Sequence, residues 1–163
     1  MEEAMINLRQ AHDLNPNSAS ALYYLAFGEV LAGLPEGTVV HANEALRLSP
    51  RDPLRPQMHL LLSMAHFCLK DYGTGLRYSL LGMSGTKGNA VLHAQRAVNL
   101  VGLRNYGEAA QAASEMRLAS SAYANRALGG RMQYRNPEHL SRATTFLRIA
   151  AGLEDPGAAE ALR

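Results

Sequence analysis

Apolar residues return every three or four positions along most of this chain, in windows such as SALYYLAFGEVLAG (20–33), and the windows are separated by breaks rich in Pro, Gly or Asn. That spacing paints one face of an α-helix, whereas the strict alternation of a half-buried strand is nearly absent. The pattern predicts helices over 1–13, 18–32, 36–48, 55–69, 72–84, 89–103, 106–120, about 122–131 and 137–152, with a short tail from 157. The expected class is all-α.

The breaks themselves recur. LRQAHDLNPNS (8–18) and NEALRLSPRDP (43–53) place Ala11 and Ala45, and Pro16 and Pro50, 34 residues apart. Ala4, Thr38, Gly75 and Ala109 form a column with intervals of 34, 37 and 34, and Leu8, Ala42, Ser79 and Ala113 form a second with the same intervals. Pro35, Tyr72 and Tyr106 open the later helix of each pair, and Ala26, Ser63 and Ala97 lie on the earlier one, both series spaced 37 and 34. One three-residue insertion within RDPLRPQMH (51–59) accounts for the 37. Short side chains are needed at such columns because two antiparallel helices approach closely only where side chains are small. Proline closes a unit because it lacks the donor a continuing helix needs and disfavours a helical residue before it.

A helix pair of 34 residues with small crossing residues and a terminal proline resembles the tetratricopeptide repeat (TPR) family. The resemblance covers about 1–121 and implies a right-handed superhelix of antiparallel helix pairs, of whose first pair only the second helix is represented; 122–163 would then form C-terminal capping helices. The chain departs from the family in having no Trp, in placing Lys87 and Ser121 where the terminal proline stands, and in carrying Gly75 and Gly82 in place of alanines. A narrower likeness rests on ANEALRLSPRDPLRP, AHFCLKDYGTGLRYS and YRNPEHLSRATTFLRIAAGL. It is to the C-terminal repeat region of proteobacterial class III adenylate and guanylate cyclases and of winged-helix transcriptional regulators, which implies the regulatory region of a signalling protein. The catalytic and DNA-binding domains of those parents have no counterpart in these residues.

In this family the first helix of each pair lines the concave groove. The resemblance therefore implies a partner-binding groove at Tyr23, Tyr24, Phe27, Leu60, Leu61, Met64, Phe67, Gln95 and Val98. The family's clamp for C-terminal carboxylates uses Lys, Asn and Arg, but here those positions hold Tyr23, Phe27, Leu61, Val91 and Gln95. An apolar groove favours a protein or peptide segment offering apolar side chains. The competing reading assigns the same residues to the core between tightly wound units. A second function class is self-assembly as a homodimer through an open end of the array.

Composition narrows the rest. The 163 residues carry a net charge of +2 with a pI near 8.9, too mild to call for nucleic acid. No apolar run approaches the roughly 18 residues of a membrane span, and MEEAMINLRQ lacks the basic start and apolar block of a signal peptide. Cys68, a lone cysteine, fits a reducing cytoplasm. No catalytic, cofactor or metal residues are assigned. His59 and His66 lie two turns apart on one helix and His93 shares the column of His59, a spacing that does not converge on a metal. His66 and Cys68, two apart on a helix, point away from each other and make no nucleophile–base pair. GMSGTKGN (82–89) has glycines and a lysine without phosphate-loop spacing. Arg117, Arg126, Arg131, Arg135, Arg142 and Arg148 face Glu138 alone, a run read first as the solvated face of a capping helix.

The closing segment 137–153 aligns Leu140, Ala143, Thr144, Leu147 and Ala151 on one stripe, with Arg142 and Arg148 turned elsewhere. Its expected cover is the hairpin at 89–120, and the alternative is the groove near Phe67 and Val98.

Overall fold

The computed structural model describes residues 2–84 and 88–163. The side chain of Ala4, Lys87 and the centre of GMSGTKGN lie outside the described residues. The helices are α1 (Glu2–Leu14), α2 (Ala19–Ala32), α3 (Pro35–Leu48), α4 (Arg55–Cys68), α5 (Tyr72–Met83), α6 (Ala90–Gly102), α7 (Tyr106–Ala119), α8 (Ser121–Leu128) and α9 (Pro137–Ala150), followed by a 3-10 turn at Pro156–Leu162. Among the described residues there is no strand.

Local chemistry sets the helix starts. Ser18, Asp71, Asn89, Asn105, Ser120 and Asn136 each accept a hydrogen bond from a first-turn amide of the helix that follows. These side chains satisfy donors that no helical carbonyl can reach. Pro35, Pro56 and Pro137 occupy first-turn positions, where a missing N–H costs nothing.

The turn inside each pair is the same structure three times. Gly33, Lys70 and Arg104 all take left-handed backbone angles, with φ of 81°, 62° and 62°. The next amide then reaches back to the ending helix: Leu34 N to Glu29 O, Asp71 N to His66 O and Asn105 N to Leu100 O, each at 2.9 Å. This is the Schellman closure, which satisfies a carbonyl the helix end leaves free. Its positions repeat the 37 and 34 intervals of the sequence. Gly33 is a glycine for a second reason: a Cβ there would stand 2.9 Å from Cβ of Asn136.

Helices α2 and α3, α4 and α5, and α6 and α7 pair off, α3 then packs on α4 and α5 on α6, so the pairs stack in a row with α1 against α2. At the crossings Ala26, Thr38, Ser63, Ala97 and Ala109 have no exposed surface. Ser63 Oγ there donates to the facing Gly75 O at 2.8 Å, while Thr38 Oγ1 is shared between Leu34 O one turn back at 3.1 Å and the facing Ala26 O at 3.4 Å. Gly75 stands in an alanine column because the Asn99 side-chain oxygen occupies the place its Cβ would take. One apolar core runs from Ala26 in α2 to Ala159 in the final turn, so 122–163 shares the core of the array.

The register makes a direct test. Ala26→Leu and Ala109→Leu each force extra carbon into a full crossing and should cost about 1–3 kcal/mol. Chemical denaturation of the two variants measures this, and wild-type midpoints in both would contradict the crossings.

Candidate partner-binding surface

Helices α2, α4 and α6 share one face, and its exposure falls along the row. In one column Tyr24 is 52% exposed, Leu61 2% and Gln95 0%; in the next Phe27 is 41%, Met64 3% and Val98 0%. Tyr23 and Leu60 are half-buried, and Phe67 is fully buried. The nine groove positions thus divide into an open end on α2, extended by Leu60, and a covered end on α4 and α6. On the open end the Tyr23 ring lies 5.0 Å from Tyr24, edge to face, and 6.4 Å from Phe27.

The chain's own C-terminal segment covers the rest. After α8, residues 129–136 run as a strap whose Tyr134 ring lies 5.8 Å from Phe67 and whose hydroxyl donates to Gln95 Oε1 at 2.9 Å. Asn136 then reaches Gly33 at the end of α2. Helix α9 returns along α6 and α7. On the way Phe146 meets Phe67 edge to face at 5.8 Å and Tyr72 at the same distance. The hairpin at 89–120 is therefore the main support of α9, while Tyr134 and Phe146 also reach Phe67 in the groove. Tyr134, Phe146 and Leu147 are buried, each stabilising by about 1.5–3 kcal/mol. At that scale the segment is a fixed part of the fold and no loose flap.

Arg142 corrects the helical-stripe expectation. Its guanidinium is buried, lies 5.1 Å from the Phe67 ring centre, and donates to Phe67 O at 3.2 Å and Cys68 O at 2.7 Å. Those carbonyls close α4, so a cation supplied by α9 caps another helix and meets the negative end of its dipole. A stripe read from apolar residues alone cannot register this, because the partner is a backbone 74 positions away. Arg148 pairs with Glu154 at 3.1 Å. Arg117, Arg126, Arg131 and Arg135 are exposed and, among the described residues, have no carboxylate within ion-pair distance.

A buried polar chain, unpredicted from sequence, holds the strap in register. Asn99 Nδ2 donates to Gln95 O at 2.8 Å and to Ser63 Oγ at 3.4 Å, and Gln95 in turn receives Tyr134. Two amides four apart on a helix inside an apolar run were the available signal. Burial raises the Tyr134 phenol well above its ordinary value, so it stays protonated and donating.

The remaining candidates do not assemble a reactive centre. Burial pushes the Cys68 thiol up to about 12 against the lowering influence of Arg142, which leaves it a neutral core group. His66 pairs with Asp71 at 3.2 Å and stacks on Tyr78. His93 Nδ1 lies 3.1 Å from Glu115 Oε2 without hydrogen-bond alignment, and Arg96 holds the same carboxylate at 2.9 Å. Among the described residues no three His, Cys, Asp or Glu side chains gather as metal ligands, and no helix is long and apolar enough to cross a membrane. No protein-family model matches the chain, and no curated protein is significantly similar to it.

Two outcomes follow. Tyr134→Phe leaves Gln95 Oε1 buried without its donor and should destabilise by about 1–3 kcal/mol, measured by denaturant unfolding. His59 generates a pH dependence: burial first, then Arg55, holds its imidazole below the ordinary value of about 6.5, against a raising hydrogen bond that the ring donates to the Leu81 backbone. The unfolded chain takes up a proton at this ring more readily than the folded one, so stability is full above about pH 6.5 and declines as pH falls below it. His59→Gln should reduce the slope of the melting profile between pH 7 and 5, with His139, likewise lowered by burial, carrying part of the remainder, and an unchanged slope would rule His59 out as a source.

Proposed function

We propose that this chain is a non-catalytic protein–protein interaction module, a TPR-like scaffold that holds a protein or peptide segment on the concave face of α2, α4 and α6. The observation that carries this reading is the aromatic cluster on α2, in which Tyr24 and Phe27 are exposed in columns whose other members are buried and the half-buried Tyr23 packs against both. Aromatic side chains contribute large contact area at low entropic cost and dominate binding energetics at interfaces. The contact set is narrowed to Tyr23, Tyr24, Phe27 and Leu60, because the chain itself occupies the positions beyond. Helix pairs stacked in a row present such residues at fixed spacing, so the scaffold contributes preorganisation and the side chains contribute specificity. Placement as the regulatory region of a signalling protein, cytoplasmic and bacterial, belongs to the same proposal and is supported by the likeness of the sequence to such regions.

The test is site-specific photocrosslinking in cells from positions 24 and 27, with position 40 on the exposed face of α3 as control. Discrete protein adducts from 24 and 27 and none from 40 are expected. With the captured partner purified, Phe27→Ser should weaken binding by about 2 kcal/mol, the scale of an interface hot spot. Equal adducts from all three positions would contradict the reading.

A further inference from the structure

The surface on which this inference rests is separate from the α2 aromatics. Between Glu115 and Glu138 the chain has four arginines and no Asp or Glu. Arg117 closes α7 and Arg126 closes α8, where helix dipoles favour a cation, but Arg131 and Arg135 lie on the strap outside any helix. Backbone links keep three of them in one region, since Ser120 alone joins α7 to α8 and Arg131 N donates to Arg126 O at 2.9 Å, whereas Arg135 precedes the Asn136 that meets Gly33 and lies toward α2. The nearest carboxylate in sequence, Glu115, is already held by Arg96 and Gln111. Like charges left this close repel one another, and nothing within the described residues neutralises them.

Beside Arg117 the surface opens into a recess of ≈ 240 Å³ between α7 and the end of α9. Ala110, Ala113, Ser114 and Ala150 line it, with Arg117 at its wall. Leu118, the next residue, is 85% exposed. The combination fits a small apolar side chain seated in the recess with carboxylates over the arginines. It does not fit nucleic acid as well, because base stacking needs exposed aromatic rings and the exposed aromatics Tyr24 and Phe27 lie on α2, which packs mainly on α1, α3 and α4.

We infer that the α7–α8 end of the molecule, through Arg117, Arg126, Arg131 and the recess beside Arg117, is a second docking surface whose partner is an acidic protein segment carrying an apolar anchor residue. The two surfaces lie on different helices, α2 for one and α7 with α8 for the other, so one chain can hold two partners.

The experiment is selection of a random 16-residue peptide library on the 163-residue chain, with the recovered peptides then assayed on the variant Arg117→Ala/Arg126→Ala/Arg131→Ala. Circular dichroism checks the fold of that variant, which loses no ion pair among the described residues. Peptides rich in Asp and Glu with one or two Leu, Ile or Phe are expected. Their affinity, read by fluorescence anisotropy, should fall at least tenfold on the variant or with Gln in place of the acidic residues, and should fall as salt rises. Ala110→Phe, which fills the recess from an exposed position, should abolish binding, while Phe27→Ser leaves it unchanged. Peptides lost on Phe27→Ser but indifferent to the arginines would overturn this inference and leave the α2 surface standing. Recovery of no acidic peptide, tighter binding of a 20-nucleotide single-stranded DNA than of any peptide, or self-association abolished by Ala110→Phe would each overturn it as well.

Discussion

Everything in this molecule depends on how closely two helices can approach at Ala26 with Thr38, Ser63 with Gly75 and Ala97 with Ala109. These side chains are small enough for one backbone to face another, and the Ser63 hydroxyl bonds directly to the opposing carbonyl while that of Thr38 lies within reach of its own. Larger groups there would push each pair apart and tilt the next. Because the crossing recurs at fixed intervals, a single geometry is copied down the row, and the faces of α2, α4 and α6 come into line. The aromatic cluster on α2 and the buried positions on α4 and α6 are members of the same columns only for that reason.

Much of this was legible in the sequence because it is encoded locally. Capping residues, turn residues and apolar spacing act within a few positions, so helix boundaries fall within a few residues of those expected. The repeat register was legible too, since copying leaves equal intervals. What could not be read was long-range and polar. Arg142 looked like a solvent-facing residue on an amphipathic helix, yet its partners are backbone carbonyls at the end of α4, which have no sequence signature. Gln95 looked like a groove residue, and becomes core only because Tyr134 arrives from 39 positions away. The groove positions therefore divided along a line that depends on where the strap lies. Periodicity cannot state that.

The division also shapes the functional reading. A fully open inner face would offer a long apolar channel to many segments, whereas the strap and α9 leave a short aromatic platform at one end. The arginines that a simple charge count groups together separate in the same way. Arg142 is structural, Arg148 is paired with Glu154, and the other four have no carboxylate partner among the described residues. Fold and candidate surfaces thus follow from one event, the return of the chain across its own repeats.

That return has a mechanical consequence. Stacked helix pairs without cross-ties behave as a spring, flexing as each pair rocks on its neighbour. Here the strap and α9 act as a brace fixed at three points: Asn136 against Gly33 on α2, Arg142 on the last carbonyls of α4, and the long seam with α6. Rocking that spread the three inner helices would have to draw a buried guanidinium off its carbonyls. The brace therefore holds the spacing of α2, α4 and α6 constant, and a segment seated on the aromatic platform meets a width set in advance.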